Sequence, residues 1–239
     1  MMEAERDVPP APGYLQGVKD LCHRHGALFV LDEMITGFRW HNGGAQRVHD
    51  VVPDLTAFGK AIANGFSVSA LVGRRDVMQL GGPDHDRQRV FLLSTTHGGE
   101  THALAAALAT LGVYERQDVI GHLHRQGERL RAGVHRLVEA LRLTGHFEVI
   151  GRPCNLVYAT RDAERKPSQH LRALFMQETI RRGVLAPSFV VNYSHADADI
   201  DATIERVGEA LGVYRKALED GVEKHLVGGP TKPVIRPYA

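Results

Sequence analysis

The chain has 239 residues, 43% of them hydrophobic and 24% charged, the make-up of an ordinary globular protein of one or two domains, which excludes disorder. A formal net charge of +1, with Lys and Arg dispersed, excludes the long-range field that gathers nucleic acid or an anionic membrane, so neither is expected as a partner. Two distant cysteines, Cys22 and Cys154, exclude a disulfide framework or a cysteine zinc site; with an acidic, apolar-poor start and no run of membrane-spanning length, they point to a soluble protein of the reducing cytoplasm.

Leu15, Val18, Leu21 and Cys22 recur at helical spacing after Pro12-Gly13, and His25-Gly26 closes that helix before the apolar strand Ala27 to Leu31. The strand is apolar on both faces, as in a parallel sheet covered by helices, where ligands gather at the carboxyl ends of strands. Asp32 stands at such an end. Leu55 to Phe58 reads as a second strand leading to Lys60, and Val68 to Val72 as a third, followed by a helix opening at Arg74. After Phe91-Leu92-Leu93, the polar loop Ser94-Thr95-Thr96-His97-Gly98-Gly99 feeds an alanine-rich helix, Thr101 to Tyr114.

Beyond Arg116 the texture changes. A long charged amphipathic helix carrying Leu123, Leu130, Val134, Leu137 and Leu141 precedes short strands at Phe147 to Ile150 and Leu156 to Thr160. Helices follow at Ser168 to Gly183 and Asp199 to Ala217, and the tail from Val227 carries no element signal. The expected division is an α/β domain over 1–115 and an α+β domain over 116–239.

Two side chains carry chemistry. Lys60 sits among Phe58, Gly59, Ala61, Ile62, Ala63 and Gly65, an apolar small-residue surround that suits an amine required to lose its proton near neutral pH. Asp32 offers a carboxylate at a strand end. An imine-forming amine and a carboxylate that keeps a pyridine nitrogen protonated are the minimum that pyridoxal phosphate asks of a protein. Read singly, each has a plainer meaning: Lys60 as a solvated surface charge, Asp32-Glu33 as the metal-binding strand end of a P-loop ATPase. The ATPase lacks its phosphate loop, because Gly59-Lys60 is followed by Ala61 and position 54 is Asp54. Gly65-Phe66-Ser67-Val68-Ser69 lacks the final Gly of a nucleophile elbow. His23/His25 and His122/His124, two residues apart on helices, point to different faces and read as surface residues rather than metal ligands.

Leu31-Asp32-Glu33-Met34-Ile35-Thr36-Gly37-Phe38-Arg39, then Pro53-Asp54-Leu55-Thr56 leading to Gly59-Lys60 and Gly65-Phe66, then Ser94-Thr95-Thr96-His97-Gly98-Gly99-Glu100, resemble three ordered motifs of the class III aminotransferases. The likeness is to the glutamate-1-semialdehyde aminomutase-like branch, which shares an apolar residue at Ile35 where amine- and ornithine-type members usually carry Gln. Weaker similarity continues through Gly183 to Ser188 and Asp199 to Thr203.

The resemblance implies fold type I: a partial large domain with a mostly parallel sheet, plus a C-terminal α+β small domain. It implies pyridoxal 5'-phosphate as cofactor, with Asp32 on the pyridinium nitrogen, Met34 on the ring face and Lys60 bound to the cofactor aldehyde as the catalytic lysine. Thr96 would bind the phosphate of the neighbouring subunit in a homodimer; hydroxyls and amides at a helix N-terminus suit that role, and simple capping of the helix is its plainer alternative. The implied reaction is transamination between an amino donor and a keto or aldehyde acceptor. A 1,2-aminomutase of the glutamate-1-semialdehyde type uses the same apparatus, and a non-catalytic dimerisation or scaffold fragment is the alternative of another class. Family members are normally much longer, so this chain is expected to be the C-terminal half, with the phosphate loop, the second ring-stacking aromatic and much of the substrate pocket before Met1.

Overall fold

In a computed structural model that describes residues 9–90 and 98–230, the chain divides into two compact units, Met1–Gly121 and His122–Ala239. The sequence-based border at 115/116 lies just before that division.

In the first unit, α1 (Tyr14–Arg24) lays Leu15, Val18 and Cys22 on the buried Phe29, Leu31 and Val51. Gly26, at φ 66, takes the left-handed turn that lets the chain double back toward β1 (Val30–Asp32). The strand expected from Ala27 starts later because the Phe29 N–H is bonded to the Asp54 carboxylate at 2.7 Å and is lost to the ladder. β1 pairs in parallel with β2 (Leu55–Phe58), Val30 opposite Leu55 and Asp32 opposite Ala57. β3 (Ala70–Gly73) then pairs with β2 in the antiparallel sense, Phe58 opposite Ala70. The sheet order is β1-β2-β3. The mostly parallel sheet expected for the large domain is thus represented here by one parallel and one antiparallel pairing. The connection from β2 to β3 carries only a short 3-10 turn at Lys60–Ile62, not the crossover helix a parallel return needs.

Two one-turn helices, α2 (Ala45–Val48) and α3 (Arg75–Met78), flank these strands. α4 (Thr101–Arg116) buries Ala103 and Ala107, one turn apart; Ala107 packs on Ile62 and Ala63 in a cluster that also takes in Phe38 and Phe58. Small side chains on that face let the helix come close to the turn that bears Lys60.

The second unit begins in α5 (Val119–Ala140), followed by the antiparallel pair β4 (Phe147–Ile150) and β5 (Val157–Thr160), then α6 (Gln169–Arg181) and α7 (Asp197–Asp220). α5 and α7 approach through glycines: a Cβ at Gly133 would stand 2.4 Å from Ile204 Cδ1. The core is aromatic, Phe147 lying 4.8 Å from Phe175 and 5.5 Å from Tyr158 between ring centroids. Tyr214, wholly buried, has its hydroxyl within hydrogen-bond reach of His146 O at 2.9 Å and Arg161 O at 2.8 Å and accepts the Arg161 N–H at 3.1 Å, fastening α7 to the open end of the hairpin. Neither cysteine is in a disulfide, and among the described residues no helix is long and apolar enough to cross a membrane.

Candidate active site

The parallel register of β1 and β2 sets Asp32 opposite Ala57, so both strands deliver their next residues to the same end of the sheet. The chain leaves β1 in a turn opened by Asp32, whose Oδ1 accepts the Met34 N–H at 2.9 Å. Its other oxygen makes no hydrogen bond among the described residues. Asp32 is half-buried; the fully buried carboxylate of the pair is Glu33.

Glu33 organises the loop that follows. Its carboxylate takes the Thr36 hydroxyl and the backbone N–H groups of Ala45 and Gln46, each of the latter at 2.8 Å. Those amides open α2, so Glu33 caps a helix start twelve residues downstream and closes the intervening loop on itself. Gly44, at φ 76, lies against that carboxylate, and a Cβ there would stand 2.5 Å from the Glu33 carboxyl carbon. The sequence singles out Glu33 only as part of a motif, since its partners are distant along the chain.

Met34 bears on the turn after β2: a Cβ at Gly59 would stand 2.2 Å from Met34 Cε. The sulfur arm therefore joins the Asp32 turn to the Lys60 turn. Lys60 is exposed and left-handed at φ 48, followed by Asn64 at φ 49 and Gly65 at φ 113. On the facing loop Phe38 is also left-handed, at φ 58. Non-glycine residues in that region cost about 1–3 kcal/mol each and persist only where their surroundings over-determine them. For Phe38 those surroundings are plain. The Tyr114 hydroxyl of α4 donates to Phe38 O at 2.6 Å, and the Phe38 ring packs 5.5 Å from Tyr114 and 5.6 Å from Phe58. Burial pushes the Tyr114 phenol up, and the positive charge of nearby Arg39 acts in the opposite direction.

The two loops enclose a cavity of about 360 Å³ lined by Ile35, Arg39, Lys60, Ala61, Asn64 and Gly65. Asp32 and Met34 are not among its lining residues. Thr96 lies in 91–97, outside the described residues. Among the described residues no cluster of His, Cys, Asp and Glu is arranged to hold a metal.

Below this site the register is fixed by a second buried carboxylate. Asp54, 2% exposed, accepts from Phe29 N at 2.7 Å, His23 Nε2 at 2.8 Å and Arg74 Nη1 at 2.9 Å. The Phe29 N–H, then Arg74 and His23, hold its carboxyl well below the ordinary carboxylate range against the opposing cost of burial. His23, which reads as a surface residue in the sequence, thus ties α1 to β2.

Residues 6–207 match the protein-family profile described as aminotransferase class III. Among curated proteins, the 3-aminobutyryl-CoA aminotransferase of Cloacimonas acidaminovorans is 32% identical over 212 residues, an alignment covering 87% of this chain and 49% of that protein. A glutamate-1-semialdehyde 2,1-aminomutase of Desulforamulus reducens is 33% identical over 223 residues, covering 89% and 50%. In fold, the chain is similar to the FumI protein of Sphingopyxis sp. MTA144, solved in its PLP internal aldimine form, with a TM-score of 0.79 at 21% identity over 90% of this chain and 50% of that one. The N-acetylornithine aminotransferase of Stenotrophomonas maltophilia K279a aligns with a TM-score of 0.66 at 25% identity, covering 87% and 53%. The chain spans about half the length of the curated relatives it matches.

Proposed function

Because this chain belongs to the class III aminotransferases, we propose that it carries the lysine-bearing part of a transamination site that works with pyridoxal 5'-phosphate. The observation that carries the reading is the parallel register of β1 and β2, which brings Asp32 and the turn bearing Lys60 to one end of the sheet, with Met34 packed between the two turns. The donor set suits the cofactor: an exposed primary amine, a carboxylate with one oxygen held and the other open, and an apolar thioether beside them.

Pyridoxal phosphate, when bound, supplies the electron sink that accepts charge from a deprotonated carbon next to nitrogen. Lys60 Nζ would hold the cofactor through its aldehyde carbon and, once freed by the substrate amine, would act as the base that takes the proton from the substrate carbon next to nitrogen and as the acid that delivers it to the former aldehyde carbon. Asp32 would keep the ring nitrogen protonated through the carboxylate oxygen that Met34 N–H does not occupy. Met34 keeps the space between the two turns apolar. Thr96 is assigned to the phosphate, across a homodimer, from the family motif. The substrates are then an amino donor and a keto or aldehyde acceptor.

A 1,2-aminomutase is the second reading, favoured by the name of the Desulforamulus relative and by apolar Ile35. The two separate in one experiment. In a full-length context, protein supplied with cofactor and a panel of amino donors should release a carbonyl product when a separate acceptor is present, and Lys60→Ala should abolish this. Product formed only by rearrangement of a single substrate, with no exchange of amino groups between two, supports the aminomutase; an active Lys60→Ala variant sinks both.

A further inference from the structure

We infer that Tyr114 is a positioning residue for Lys60: from α4, its hydroxyl and ring hold Phe38 left-handed, and Phe38 steadies the turn that carries the Lys60 amine. As a statement about catalysis, this rests on the reading of Lys60 given above; as a statement about the mobility of the turn, it does not.

The turn has little of its own to hold it. Lys60, Asn64 and Gly65 all stand at positive φ, and the backbone bonds that close the turn are long: 3.3 Å from Ile62 N to Gly59 O, 3.4 Å from Ala63 N and 3.2 Å from Asn64 N to Lys60 O. Such a conformation persists only where packing over-determines it. On one side, Ile62 and Ala63 lie on Ala107 of α4. On the other, Phe58, immediately before Gly59, packs its ring 5.6 Å from that of Phe38, and a Cβ at Gly37 would fall on the Phe58 ring. The Phe38 loop therefore presses directly on the entry to the Lys60 turn.

Phe38 is in turn held from α4. The Tyr114 hydroxyl donates to Phe38 O at 2.6 Å, and the two rings meet edge-on at 5.5 Å. Burial pushes the phenol up, so the hydroxyl keeps the proton it donates. Ala107 and Tyr114 lie two turns apart on one face of α4. One helix thus grips the Lys60 turn twice, directly through Ala107 and by way of Tyr114, Phe38 and Phe58. Fixing the turn before any ligand arrives sets where the amine can reach, and small displacements of a reacting group are costly. A tyrosine that served the fold alone would, on losing its hydroxyl, loosen the whole unit evenly; a positioning tyrosine loosens the turn first.

The test compares the parent chain with Tyr114→Phe, which removes the hydroxyl and keeps the ring, and with Phe38→Gly, which accepts the positive φ and removes the ring. Amide hydrogen exchange is followed by mass spectrometry in peptides covering 58–66 and β1, beside urea unfolding. Exchange over 58–66 should rise about tenfold or more in both variants, while β1 changes by less than about twofold. An even rise across both peptides, matching the loss of global stability, or an unmoved 58–66 in either variant, overturns the inference. In a full-length context, pyridoxal 5'-phosphate is added to cofactor-free protein and the absorbance of the lysine-bound cofactor is timed. It should appear about threefold or more slowly in Tyr114→Phe and not at all in Lys60→Ala. A parent-like rate in Tyr114→Phe, with the band lost in Lys60→Ala, overturns the inference and leaves the reading of Lys60 intact. A band that survives in Lys60→Ala overturns that reading and the catalytic consequence drawn from it, while the exchange comparison still decides the link from Tyr114 to the turn.

Discussion

Removing the Asp54 carboxylate should loosen the register on which the site is built. Asp54→Ala takes the acceptor from the Phe29 N–H, a group buried with its residue at 7% exposure, and an orphaned buried donor costs about 1–3 kcal/mol. His23 and Arg74 also lose their partner, but their side chains are 41% and 48% exposed and water replaces most of what they lose. The expected cost is therefore about 1–3 kcal/mol, set by the orphaned Phe29 donor. Asp54→Asn keeps an acceptor for Phe29 and loses only the charge facing two half-exposed partners, so a smaller cost is expected. The pH dependence follows from the direction of the shift: the folded carboxyl titrates below its ordinary value of 3.8, so its stabilisation is present above that value and is lost as the pH falls below it. Urea unfolding of parent and both variants should therefore show a gap near pH 7 that narrows toward pH 3. A cost below about 1 kcal/mol for Asp54→Ala, or a gap unchanged between the two pH values, would refute the argument.

In a full-length context, Asp32→Asn should lower turnover far more than cofactor retention, because the carboxylate acts on the ring while Lys60 and the phosphate contacts hold the molecule; kinetics and bound-cofactor absorbance should diverge, and an Asn variant within a few-fold of the parent would remove Asp32 from the site. Gly59→Ala places a methyl group where the Met34 thioether lies, and because that flexible side-chain end can move aside it should cost about 1 kcal/mol or less, read from thermal unfolding. Pairing it with Met34→Ala, which clears the space, should recover part of that loss; a double variant less stable than the sum of the single changes counts against the contact.

Much of the local structure is legible in the chain itself. Leu55–Phe58 and Phe147–Ile150 coincide with their expected bounds, because short apolar runs between turn-forming residues have few alternatives. The alanine-rich helix from Thr101 was likewise legible from propensity. What escaped depends on partners far along the chain. The start of β1 is set by a carboxylate 25 residues later, the cap of α2 by Glu33 twelve residues earlier, and the conformation of Phe38 by a hydroxyl 76 residues away. The antiparallel β3 was hidden for another reason: an apolar run shows that a strand exists but not its direction. In the site, Lys60, Asp32 and Met34 were nominated by motif order and by their immediate surround. Tyr114 carried no such signal, since a lone tyrosine in a helix becomes informative only when the fold shows what it faces.

The most direct test of the central claim is to load the protein with pyridoxal 5'-phosphate, reduce it with borohydride and map the modified peptide. The reading places the pyridoxyl mass on Lys60, in the peptide spanning the turn after β2, and expects none on a Lys60→Ala variant treated in the same way. A stable label on Lys19 or Lys216 in place of Lys60 would contradict it.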